Sequence, residues 1–156
     1  MKPISAAVIA ALILGFSTAN AQEAPKPAGP SQPAAEPEPP GLGEIMALQQ
    51  MRHIKLWFAG RAGNWPLADY EIDELKDGFD DVNRLIGGGT VEKMVGAQIA
   101  ALEKAIDAKD RTAFAAAFDK LSAGCNNCHQ TLDHGFIVIQ RPTSLPYSDQ
   151  SFTARK

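Results

Sequence analysis

Residues 114–129 read FAAAFDKLSAGCNNCH, and two patterns overlap in them. Phe114, Phe118, Leu121, Cys125 and Cys128 recur at offsets 0, 4, 7, 11 and 14. That spacing marks one face of an α-helix. The spacing predicts a helix from Asp110, which can cap its first turn, to about His134, with Gly135 as the stop.

Three more helical segments lie upstream. The first spans about Gly43 to Gly60, with Ala47, Met51, Ile54 and Phe58 on one stripe and Met46, Gln50, His53 and Trp57 on the next. Gly60 and Gly63 read as its stop signals. The second runs from Trp65 to Ile86, with Asn64 as a candidate cap and Pro66 in the first turn. Its apolar stripe is Ala68, Ile72, Leu75, Phe79, Val82 and Ile86, and seven acids decorate it between Asp69 and Asp81. Gly87-Gly88-Gly89 ends it. The third runs from Val91 to Ala108 behind Thr90, on a stripe of Val91, Val95, Ile99, Leu102 and Ile106. Strand signals are nearly absent, apart from a short β-prone run at Phe136 to Ile139. Four amphipathic helices with short connections predict an all-α fold, an antiparallel up-and-down four-helix bundle.

The same stretch also carries chemistry. Cys125-Asn126-Asn127-Cys128-His129 is Cys-x-x-Cys-His, the attachment sequence for c-type haem. Two thiols three residues apart on a helix can each form a thioether to a haem vinyl group, and His129 can ligate the iron from one side. Because Cys125 and Cys128 continue the inward stripe, the haem would enter the bundle near the end of its last helix. Three rival readings exist. A thioredoxin-like dithiol normally sits at a helix N-terminus, whereas this pair lies deep within a helix. A zinc site needs four ligands, and only His53 and His134 remain as histidines beyond the motif. A structural disulfide with a chance histidine would make the chain a cofactor-free interaction module.

The chain ends set the compartment. Lys2, the apolar run from Ile4 to Phe16 and Ala19-Asn20-Ala21 form the charged, apolar and cleavage parts of a signal peptide over residues 1–21. The apolar run is too short for a spanning helix, so no stable membrane insertion is expected after cleavage. Residues 22–42 carry seven prolines between Pro25 and Pro40 and read as an extended linker. The folded domain is expected over residues 43–140, with a tail over 141–156. Export to the periplasm follows, and with it an oxidising compartment. The net charge of −3 on 156 residues excludes broad nucleic-acid binding. No Ser-His-Asp set, phosphate loop or carboxylate pair points to an enzyme.

A secreted four-helix bundle ending in Cys-x-x-Cys-His resembles the cytochrome c-prime family over residues 43–134. The family's motif commonly continues with an aromatic–arginine pair; here Gln130-Thr131-Leu132-Asp133-His134 follows instead. Residues 55–60 and the extension from Gly135 to Pro142 are also atypical. The resemblance implies one covalent haem c held by Cys125, Cys128 and His129. It includes low-spin relatives in which a methionine early in the first helix binds the iron, a place that Met46 matches. His53, seven residues later and about 10 Å along the helix, is the alternative. Met51, Met94 and His134 are further candidates, although His134 on a continuous helix would point about 140° away from His129. Trp57 and Phe58 could line the haem pocket or the core, and Arg52, Lys55 or Arg61 could pair with haem propionates.

With a sixth side chain on the iron the protein would transfer single electrons; with an open site it would bind NO or CO. The resemblance implies redox partner proteins without identifying them, and the acidic second helix could steer a basic one. Bundle cytochromes of this type are often dimeric, so a homodimer is a candidate assembly.

Overall fold

The computed structural model describes residues 38–154. The expected signal peptide and most of the expected linker lie outside the described residues. Four helices follow in order: α1 (Leu42–Ala62), α2 (Trp65–Ile86), α3 (Thr90–Asp107) and α4 (Arg111–Thr131). There is no strand among the described residues. Helix α1 packs on α2 and α4, and α3 packs on α2 and α4, which closes a ring around one core. No helix among the described residues is long and apolar enough to cross a membrane.

The core follows the apolar stripes of α2, α3 and α4. Ile72, Leu75 and Val82 meet Val95, Leu102, Phe114, Phe118 and Leu121, all essentially sealed from solvent. Burial of each large side chain contributes about 2–3 kcal/mol. Asp110 caps α4 by accepting hydrogen bonds from the backbone N–H groups of Thr112 and Ala113 at 2.9 and 3.0 Å. At the other end of the chain's first helix, the Glu44 carboxylate accepts the N–H of Gly41 at 3.0 Å and stops fraying.

Helix α1 departs from the sequence expectation. Ala47 is exposed and Met51, Ile54 and Phe58 are only half-buried. The buried face instead carries Ile45, Gln49, His53, Leu56, Trp57, Ala59 and Gly60. Polar residues can turn inward here because α2 satisfies them. The Gln49 amide donates to the Leu75 carbonyl at 2.8 Å, and Arg52 donates to the Glu74 carbonyl and carboxylate at 2.6 and 2.8 Å. Gly60 does not stop the helix. A Cβ there would lie 2.2 Å from the Phe114 ring, so the glycine allows α4 to approach. Gly63, at φ 70°, is the actual stop. One of the seven acids is also inward: Glu71 is buried, with the Lys55 ammonium 3.9 Å away.

Helix α4 ends three residues earlier than its pattern suggests. Asp133 takes a left-handed conformation at φ 61°, and the chain turns back toward the helix. Beyond it, residues 141–154 carry no helix or strand but are tied to the bundle. Arg141 pairs with Asp119, and buried Phe152 meets the ring of Phe58 edge-on at 6.1 Å.

Candidate functional site

The last turns of α4 form one wall of a mainly apolar cavity of about 420 Å³. Cys125, Cys128 and His129 line it from α4, and Met46 and His53 line it from α1. The structure therefore gathers all five residues singled out by the sequence. Leu75, Phe79, Val82, Val91 and Val95 supply apolar walls from α2 and α3, and Leu121 adds one from α4 itself. The volume falls within the range of about 300–1,000 Å³ usual for cofactor and ligand sites.

His129 is held in one tautomer. Its Nδ1 lies 2.8 Å from the carbonyl oxygen of Ile137. A carbonyl only accepts, so Nδ1 carries a proton, and in the neutral imidazole the lone pair is on Nε2. This is the arrangement that prepares an imidazole for a metal. The acceptor is in place because the chain folds back after α4. Asn126, inside the motif, bonds Ile139 twice: its amide donates to the Ile139 carbonyl at 2.8 Å and its oxygen accepts the Ile139 N–H at 2.7 Å. The β-prone run thus forms an extended strap over the motif, and Ile137 and Ile139 close that side of the cavity.

The thiols of Cys125 and Cys128 are free and half-buried. Burial, with Cys128 adding a smaller repulsion, pushes the Cys125 thiol up to about 12, and burial also raises that of Cys128. Thiols so held are protonated at neutral pH and lack the thiolate that a disulfide-exchange centre needs. Gly124, beside Cys125, lets α4 approach α3: a Cβ there would lie 3.0 Å from Val95 and 3.3 Å from the Met94 carbonyl.

His53 is buried and fixed. Its ring lies 4.3 Å from that of Phe118, and its Nε2 lies 2.8 Å from the Ser122 hydroxyl. Ser122 gives its own proton to the Phe118 carbonyl at 3.1 Å. Nε2 of His53 is therefore the donor to Ser122, and Nδ1 is the unprotonated nitrogen. Burial lowers the His53 pKa to about 4, so the imidazole is neutral.

The remaining candidates separate. His134 lies beyond the end of α4 and lines the cavity, so the argument from a continuous helix does not hold for it. Its Nδ1 is 2.6 Å from the Leu132 carbonyl. Met51 and Met94 do not line the cavity, nor do Trp57, Phe58, Arg52, Lys55 and Arg61. Trp57 belongs to the core between α1 and α4, stacked on Phe114 at 6.3 Å and tilted against Phe118 at 5.0 Å. Two contributors escaped the sequence reading, Asn126 and Ser122. Ser122 carries a weak signal, standing three residues before Cys125 and seven before His129 on one helical face.

No family model, curated protein or solved structure matches this chain.

Proposed function

We propose that the protein is a periplasmic monohaem c-type cytochrome of the c-prime-like bundle class that transfers single electrons. The observation that carries this reading is the His129 hydrogen bond to Ile137, which assigns the lone pair of the neutral imidazole to Nε2 on a residue that shares an apolar cavity with both thiols. When bound, haem supplies an iron that takes up and releases one electron between Fe(III) and Fe(II). Cys125 and Cys128 would anchor the porphyrin by thioethers, and His129 Nε2 would be the proximal ligand. The strap would hold His129 in orientation, and the apolar walls would exclude water.

The reading includes an antiparallel bundle with Met46 as the sixth ligand. A ladder of α1–α4 contacts supports it: Ala62 with Arg111, Gly60 with Phe114, Trp57 with Phe118 and His53 with Ser122. As the α1 number falls, the α4 number rises. Seven residues before His53 is Met46, and seven after Ser122 is His129. Met46 then stands level with His129, whereas His53 sits about 10 Å away and already bonds Ser122. The leader pattern of residues 1–21 supports the periplasm, and exposed Asp69, Asp77 and Asp80 on α2 suit a redox partner with a basic surface.

The test is optical. The protein is produced in a host that matures c-type haem, and spectra are recorded with and without reductant and CO. A sharp reduced α-band that ignores CO is expected, and Met46→Ala should make it high-spin and CO-reactive while His53→Ala leaves it low-spin. A CO-reactive parent protein would favour gas binding, and a colourless one would overturn the haem reading.

A further inference from the structure

A second cavity, of about 630 Å³, lies at the other end of the α1–α4 contact and shares no lining residue with the first. Three arginines line it, each from a different segment: Arg61 at the end of α1, Arg111 at the start of α4 and Arg141 beyond the strap. Trp57 and Phe114 supply the aromatic wall. The Arg141 guanidinium lies 4.4 Å from the centre of the Trp57 ring system, and that of Arg61 lies 5.7 Å from it.

The charges around this cavity are not balanced. Arg141 pairs with Asp119 at 2.5 Å. Arg111 makes a single long bond, 3.3 Å, to the Ala62 carbonyl, and the nearby Asp110 carboxylate is committed to capping α4. Arg61 has no hydrogen bond or ion pair among the described residues. Beneath them lies a second unmatched donor. Trp57 is 4% exposed, and its indole N–H is the one buried side-chain polar atom without a partner among the described residues. A buried unpaired donor costs about 1–3 kcal/mol, so it calls for an explanation.

Guanidinium groups converging on one cavity match oxyanions, because each offers a planar fork of donors. The cavity is larger than a single bare oxyanion requires, and its two uncommitted cations suit more than one negative charge. We infer that the Arg61–Arg111–Arg141 cavity is a binding site for a small oligoanion bearing carboxylate or phosphate groups, seated over Trp57. Arg61 and Arg111 supply the uncommitted charge. Arg141, paired with Asp119, holds a third guanidinium over the Trp57 ring at the cavity wall. The site is independent of the haem reading, since it lies on other residues.

Calorimetric titration of the purified full protein, with whatever cofactor it carries, with citrate and with pyrophosphate, at ionic strength fixed by potassium chloride, tests the inference. Saturable binding is expected, and the tighter of the two probes identifies carboxylate or phosphate as the natural group. Arg61→Gln and Arg111→Gln should each weaken it about tenfold or more, as loss of a charge-assisted hydrogen bond implies. Both side chains are exposed, so the variants keep the fold, which circular dichroism checks. The Trp57 indole N–H resonance, distinguished from that of Trp65 by Trp65→Phe, should shift with the same saturation curve. Absence of saturable binding by either probe, or affinity unchanged in both arginine variants, would overturn the assignment.

Discussion

Asn126 and Ile139 form a two-bond clamp in which one side-chain amide satisfies both backbone groups of a residue thirteen positions later. The clamp fixes the strap, and the strap supplies the carbonyl that orients His129. A residue inside the motif thus governs the histidine at its end through the chain that follows.

Asn126→Ala removes both bonds. Each neutral hydrogen bond contributes about 1 kcal/mol net, so a loss of about 1–2 kcal/mol in urea unfolding is expected. Asn126→Asp keeps an acceptor for the Ile139 N–H but sets its second carboxylate oxygen against the Ile139 carbonyl, so it should be no more stable than the alanine variant. Under the haem reading, both variants should also broaden the reduced α-band. Equal stability of all three proteins would show that the clamp contributes nothing.

The motif, the number of helices and the α2 stripe were legible because each rests on short-range spacing. The buried face of α1 was not, because periodicity counts apolar residues and this face includes Gln49 and His53. Their burial depends on partners in α2 and α4, which no local pattern contains. His134 was misjudged for a related reason. Nothing in residues 130–134 announces that Asp133 turns left-handed and brings the next residues to the cavity. The bonding role of Asn126 likewise depends on a strap that sequence spacing suggests only as an apolar run.

Gly60 and Gly96 both lie within helices yet should respond oppositely to alanine. A Cβ at Gly60 would meet the Phe114 ring at 2.2 Å, and Phe114 is buried too firmly to withdraw. Overpacking of about 1–3 kcal/mol should exceed the gain in helix propensity of about 1 kcal/mol. A Cβ at Gly96 would meet the Glu92 carboxylate, the free end of a flexible side chain. Thermal unfolding should therefore show Gly60→Ala destabilised and Gly96→Ala equal to or above the parent.

The segment after the strap contributes to stability through Phe152. It is 7% exposed and packs on Phe58 at 6.1 Å. Phe152→Ala should cost about 2–3 kcal/mol, near the low end for buried phenylalanines because the site lies at the margin of the core. It should also release residues 141–154 to limited proteolysis. An unchanged cleavage pattern would mean that Arg141 and Asp119 alone hold the segment.

His53 gives the stability a defined pH dependence. Burial lowers its pKa from the ordinary 6.5 to about 4, so the folded protein resists protonation that the unfolded chain accepts. Above pH 6.5 both states hold it neutral, and its contribution is fully present. Below 6.5 the unfolded chain binds the extra proton, and stability falls until the folded state also titrates near pH 4. The difference corresponds to about 3 kcal/mol across that window. Glu71 acts in the opposite sense, because burial raises its pKa and favours the protonated folded form at low pH. The comparison must therefore be made against a variant that alters His53 alone. His53→Gln keeps a donor for Ser122 and removes the titration. Urea unfolding at pH 7 and at pH 5 should show a smaller loss on acidification in His53→Gln than in the parent. Equal losses would mean that His53 titrates normally, and that its contact with Ser122 and Phe118 does not hold it out of water.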